Sequence, residues 1–182
     1  MSQTEVKLTR ADANSDGHQH EYLTFLMGAE EFGVEILAVQ EIRGWESVTP
    51  IPNAPDQVCG VMNLRGTVVP VVDLRACFGV KKRPFHDKTI VIVVQISSDT
   101  RSGFKIIGVV ADAVADVECF PEEAIQAAPD MGNAGHLHYV RGLGQTAQKM
   151  VILLELDEQL LYEQSALPSF PQEQSSDEFE QQ

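Results

Sequence analysis

The chain has 182 residues (20.0 kDa), with 13 Lys and Arg against 27 Asp and Glu, a formal charge of -14, and 43% hydrophobic and 22% charged residues. These proportions are those of a folded domain and exclude wholesale disorder. A field this negative repels phosphate backbones and anionic lipid, against which the run Lys81-Lys82-Arg83 is a small basic turn.

Residues 1–20 are polar, with Asp12, Asn14, Ser15, Asp16 and Gly17 and little apolar periodicity, and are expected to form a disordered arm. No apolar segment stands near the N-terminus, and the longest apolar runs, such as Ile90–Val94 and Met150–Leu154, have five residues, so a cytoplasmic protein with neither secretory signal nor membrane span is expected. Short runs rich in Val, Ile and Thr then follow, broken by Gly, Pro, Asn or Asp. They predict strands over Tyr22–Met27, Phe32–Val34, Val39–Arg43, Val58–Leu64, Thr67–Leu74, Thr89–Ile96, Phe104–Ala111, Ala113–Cys119, Tyr139–Leu143 and Lys149–Glu155. Ten such strands suit one antiparallel sandwich or two five-stranded barrels equally well.

Helical signal is thin. Glu35–Val39 can form one turn, Pro121 before Glu122 and Glu123 has the look of a helix start, and Asp157–Gln164 is the best helix, with Leu160, Leu161 and Leu156 on one apolar face. From about Leu167 two prolines, several Gln and Ser and four acids without a base predict a disordered acidic tail over 164–182. Residues 21–163 alone carry 20 acids and 11 bases, so the acidity belongs to the folded part.

The richest segment is VCGVMNLRGTVVPVVDLR, Val58 to Arg75. Two apolar strands meet at Leu64-Arg65-Gly66, where Gly66 can supply the positive φ of a tight hairpin and Arg65 is left beside the turn to reach a carboxylate or a partner. Pro70 removes a ladder donor, which places its strand at an edge or a bulge. Pro50, Pro52 and Pro55 stiffen the approach, and Trp45, the one tryptophan, either clamps that proline loop or faces a partner.

A catalytic set is hard to find. His18-x-His20 and His136-x-His138 have two-ligand spacing but no Cys or acidic cluster nearby, and are read as solvated. Motifs of the GxSxG, HExxH and GxxxxGK[ST] kinds are absent, and no helical hairpin surrounds a His for phosphorylation. Asp112 and Asp116 are the one carboxylate pair set in an apolar stretch, where a period of two would put both on one strand face. Cys59, Cys77 and Cys119 fit neither a metal nor a disulfide pattern and are expected to be buried thiols. Binding is therefore the default role.

The runs VEILAVQEIRG (Val34 to Gly44) and GVMNLRGTVVPVVDLR (Gly60 to Arg75), continued by IVIVVQI and GVVADAVADV, closely resemble the CheW-type coupling proteins of bacterial chemotaxis over roughly Glu21 to Glu163. The resemblance implies a mainly β fold of two SH3-like five-stranded barrels packed around a shared hydrophobic core. It implies a non-catalytic adaptor, without cofactor or metal, that joins the cytoplasmic tips of methyl-accepting chemoreceptors to the regulatory domain of the histidine kinase CheA, with assembly into rings in arrays at the inner membrane. The implied receptor-facing residues are Val39, Glu41, Arg43, Arg65 and Gly66, in a groove that takes an amphipathic helix. The kinase-facing set is Val140, Gly142 and Leu143, and Gly60 and Gly108 are structural turn or close-approach positions. Core packing is the alternative for Val39, and an internal salt bridge to Glu41 the alternative for Arg65. A phosphoacceptor receiver domain and the kinase's own catalytic domains are not expected.

Two other functions compete with that one: an adaptor for a non-flagellar chemosensory pathway, and a small acidic enzyme using Asp112 and Asp116.

Overall fold

A computed structural model of the chain describes residues 19–78, 80, 84–98, 103–128, 139–146 and 149–161. Among these described residues twelve strands form two curled six-stranded sheets. They are β1 (Gln19–Met27), β2 (Glu30–Glu35), β3 (Val39–Gly44), β4 (Val48–Thr49), β5 (Val58–Leu64), β6 (Thr67–Val72), β7 (Ile90–Ser97), β8 (Phe104–Ala111), β9 (Ala113–Pro121), β10 (Ile125–Gln126), β11 (Val140–Gln145) and β12 (Met150–Leu154). The first sheet has the order β10-β11-β12-β2-β1-β9, and the second β3-β7-β8-β6-β5-β4.

Read from opposite ends, the two orders are one topology used twice. In each sheet a hairpin (β1–β2 or β7–β8) lies antiparallel to one strand on one side, β9 or β3, and parallel to another, β12 or β6, on the other. A 3-10 turn, Glu122–Ala124 or Trp45–Ser47, carries the chain from the strand at one end of each sheet to the two-residue strand at the other, which is what curls it. The hairpin β1–β2 is thus completed by the last four strands, and β7–β8 by β3 to β6.

Each sheet wraps a small core of its own: Tyr22, Phe120, Val151 and Leu153 in the first, and Met62, Leu64, Val69, Val71, Val91, Val93 and Val110 in the second. The larger core lies between them, where Phe25, Met27 and Phe32 meet Ile92, Ile107, Leu154 and Leu160. β7 is buried over most of its length because it serves both its own sheet and this shared core, which is why it reads as a continuous apolar run.

All ten predicted strands agree with the observed ones to within three residues at each end, while the two-residue β4 and β10 are additions. The run Thr67–Leu74 ends two residues early, at Val72, because the Asp73 side chain accepts the Arg75 N–H at 3.0 Å and starts a short helix, α1 (Leu74–Cys77). β1 begins at Gln19, two residues inside the stretch read as an arm, and residues 164–182 lie outside those described. The three expected helical turns are 3-10 turns, Ile36–Ala38, Glu122–Ala124 and Glu158–Leu161. Leu156 and Leu160 do pack back on the shared core.

Pro70 lies on no edge strand, since β6 is interior to its sheet. It pairs with Val61, one residue before the parallel pairing with β8 begins at Val71. Gly60 and Gly108 are strand residues, not turns. A Cβ on Gly60 (φ 155°) would stand 2.2 Å from the Thr49 carbonyl oxygen, and one on Gly108 would stand 2.6 Å from Val91 Cγ1. Of the cysteines, Cys77 is buried, Cys59 is intermediate and Cys119 is exposed on β9, contrary to uniform burial.

Candidate functional site

The residues of the VQEIRG run lie on β3, which pairs with β7 and closes one end of its sheet. A bulge at Gln40 separates Val39, opposite Val94, from Glu41, opposite Val93. The bulge turns the two halves of the strand to different tasks. Val39 is half-buried against the shared core, while Glu41, Ile42 and Arg43 face the outer surface to varying degrees.

The NLRG hairpin brings Arg65 to the same place. Arg65 (φ 49°) and Gly66 (φ 89°) both adopt positive φ, as a two-residue type I′ connection requires, and the Asn63 side chain accepts the Gly66 N–H at 2.8 Å. Glu41 lies between two guanidinium groups, with Arg43 Nε at 3.2 Å from Oε1 and Arg65 Nη2 at 3.0 Å from Oε2. The Arg65 side chain stays 83% exposed, so most of its guanidinium faces solvent. Two cations and one anion make a locally positive spot on a chain of charge -14. The expected internal salt bridge and the expected exposure thus coexist at Arg65.

Beyond Ala38 and Val39 the surface dips into an open cleft of about 160 Å³ between the sheets, lined by residues of β2, β7 and β12 together with Ala38 and Arg141. Leu37, 90% exposed in the 3-10 turn between β2 and β3, lies outside this cleft's lining and borders a separate surface recess with Gln19, His20 and Glu21.

The three kinase-facing candidates lie in the other sheet, on β11. Val140 packs against the shared core and Leu143 is half-buried. Gly142 is buried, and a Cβ there would stand 2.7 Å from both the Gln126 carbonyl oxygen and Ile125 Cγ2, so its part is to let β10 approach. Between them Arg141 holds Glu35 and Glu122, and His20 spans the same two carboxylates at 3.4 and 3.1 Å. Burial pushes the nearby Tyr22 hydroxyl above its usual pKa, with Arg141 opposing that shift.

The carboxylate pair separates. Asp112 sits in the bend between β8 and β9, where Oδ2 accepts the Gly28 N–H at 2.7 Å and Oδ1 faces Arg75. Asp116 lies on β9, where its main chain exchanges hydrogen bonds with the Thr24 hydroxyl. Neither lines the cleft, and period-two reasoning failed because the bend at Asp112 breaks the strand. Among the described residues no group of three or more His, Cys, Asp or Glu side chains is placed to hold a metal ion, while His18, His136 and His138 lie outside those residues.

A family model described as the CheW-like domain matches residues 21–164. The chain is 40% identical over 147 residues to the chemotaxis protein CheW of Klebsiella aerogenes, covering 81% of this chain and 85% of that one. It is 37% identical over 150 residues to the chemotaxis protein CheW of Rhizobium meliloti, covering 82% and 93%. The crystal structure of the scaffolding protein TtCheW from Thermoanaerobacter tengcongensis superposes with a TM-score of 0.69 at 30% identity, covering 81% and 95%. With its two curled sheets around a shared core and this match along nearly the whole described length, the chain belongs to the CheW-like family of chemotaxis proteins.

Proposed function

We propose that this protein is a non-catalytic scaffold that couples methyl-accepting chemoreceptors to the histidine kinase CheA, with the β3 face and the NLRG hairpin toward the receptor and β11 toward the kinase's regulatory domain. The observation that carries the receptor side is the Arg43–Glu41–Arg65 cluster, presented on a bulged end strand beside an open inter-sheet cleft. An amphipathic helix can lay apolar residues against Val39 and the cleft while acidic residues answer the two arginines, which sets its register. No helix among the described residues is long and apolar enough to cross a membrane, and in this reading the protein reaches the inner membrane through the receptors it binds, in ring assemblies with the kinase.

The test is a binding assay with a receptor cytoplasmic fragment and a CheA-type regulatory domain, singly and together, at physiological salt. Binding to both, with kinase activity raised only in the ternary mixture, is the expected result. Binding to neither would overturn the reading.

A further inference from the structure

Arg75 is 2% exposed, and its guanidinium is held by carboxylates and an aromatic ring. Its guanidinium grips Asp73 with both arms, Nε to Oδ1 at 2.9 Å and Nη2 to Oδ2 at 3.0 Å, and turns Nη1 to Asp112 Oδ1 at 3.4 Å. One face of it lies over Phe85, 5.1 Å from the ring centroid. The other side of the chain of contacts reaches the surface: Phe85 stacks on Trp45, with centroids 3.7 Å apart and planes at 28°. Trp45 directly follows Arg43 and Gly44, and its main-chain N–H donates to the Thr89 carbonyl at 3.1 Å. The short loop bearing Phe85 is itself closed on Thr89, which exchanges hydrogen bonds with His86.

We propose that Arg75 is a positioning residue for the receptor-facing surface: held flat by Asp73 and Asp112, it orients Phe85, which through Trp45 fixes the end of β3 where Arg43 and Glu41 stand. This inference rests on the receptor reading above. A planar guanidinium suits the task because it satisfies a bidentate carboxylate in its plane and an aromatic ring on its face at once, which an ammonium cannot do. The sequence offers DLR and a distant Phe-His; their convergence on Trp45 belongs to the tertiary structure.

The test uses the full chain and Trp45 as its only tryptophan. Arg75→Lys, with a native circular-dichroism spectrum, is expected to red-shift Trp45 emission and to weaken binding of a receptor cytoplasmic fragment roughly fivefold, with binding of the kinase regulatory domain unchanged. Phe85→Leu, which leaves the Asp73–Arg75–Asp112 contacts intact, is expected to reproduce both changes if Arg75→Lys fails to fold, and Phe85→Tyr to retain wild-type values. Unchanged emission in a folded Arg75→Lys variant overturns the proposal. So does shifted emission with unchanged receptor affinity in Phe85→Leu, or equal losses toward both partners. If the wild-type chain binds no receptor fragment, the receptor reading falls, and the proposal falls with it as a statement about receptor binding.

Discussion

The Glu41 carboxylate on β3 accepts the Arg65 guanidinium at 3.0 Å from the tip of the β5–β6 hairpin, 24 residues further along the chain. Arg43 reaches the other oxygen of the same carboxylate, so one acid orients two arginines that otherwise face water. Exposed pairs of this kind add at most about 1 kcal/mol to stability, and their value lies in presenting charge at a fixed place.

Arg65→Glu is therefore expected to leave the fold intact and to weaken receptor-fragment binding by roughly tenfold or more, because it sets two acids side by side where the partner meets a cation. A thermal melt and a titration of the same sample check both halves. Wild-type affinity in a folded variant would count against the assignment.

Gly60 and Gly66 separate steric need from conformational need. A Cβ on Gly60 would strike the Thr49 carbonyl oxygen at 2.2 Å, whereas one on Gly66 would meet nothing within 4 Å. Gly60→Ala is expected to cost about 3 kcal/mol or more, and Gly66→Ala about 1 kcal/mol, the penalty of its positive φ alone. Urea denaturation midpoints of the two variants compare them directly.

Asp112 and Asp116 are expected to behave as unrelated residues. Asp112→Asn weakens the buried contact to Arg75 and should destabilise by about 2 kcal/mol, while Asp116→Asn should stay within about 0.5 kcal/mol of wild type. Equal effects of the two substitutions on any hydrolytic or transfer activity would revive the enzyme reading.

Cys119 is exposed, yet its thiol is pushed above the ordinary value, first by partial burial of the sulfur and then by Glu21 and Glu118. A raised pKa leaves less thiolate at pH 8, so alkylation by iodoacetamide should run slower than for a small model thiol. The rate should rise as pH climbs through the shifted value, and Glu21→Gln should speed it at constant pH. The modified mass, followed against time, measures this.

Much of the candidate site was legible before any coordinates. The hairpin at Leu64-Arg65-Gly66 is specified locally, by a glycine between two apolar runs, and the side chain placed beside it had to be exposed. The pairing of Arg65 with Glu41 was named as an alternative and is observed. The positive φ of Arg65 itself was missed, because two-residue connections of this type demand it of both central residues and only Gly66 advertises it.

What the sequence by itself determined was all of the strands but the two shortest and the turn that leaves Arg65 exposed, because alternation of apolar and polar residues and turn glycines act over a few neighbours. Which strands share a sheet was decided only by tertiary structure. β4 and β10 are too short to carry a period, and the exchange that gives β3 to β6 to one hairpin and β9 to β12 to the other depends on pairings across dozens of residues. The same holds for Arg75: DLR read as the end of a strand, and only the packed interior, where a buried charge must find its partners, brought Asp73, Asp112 and Phe85 to one guanidinium.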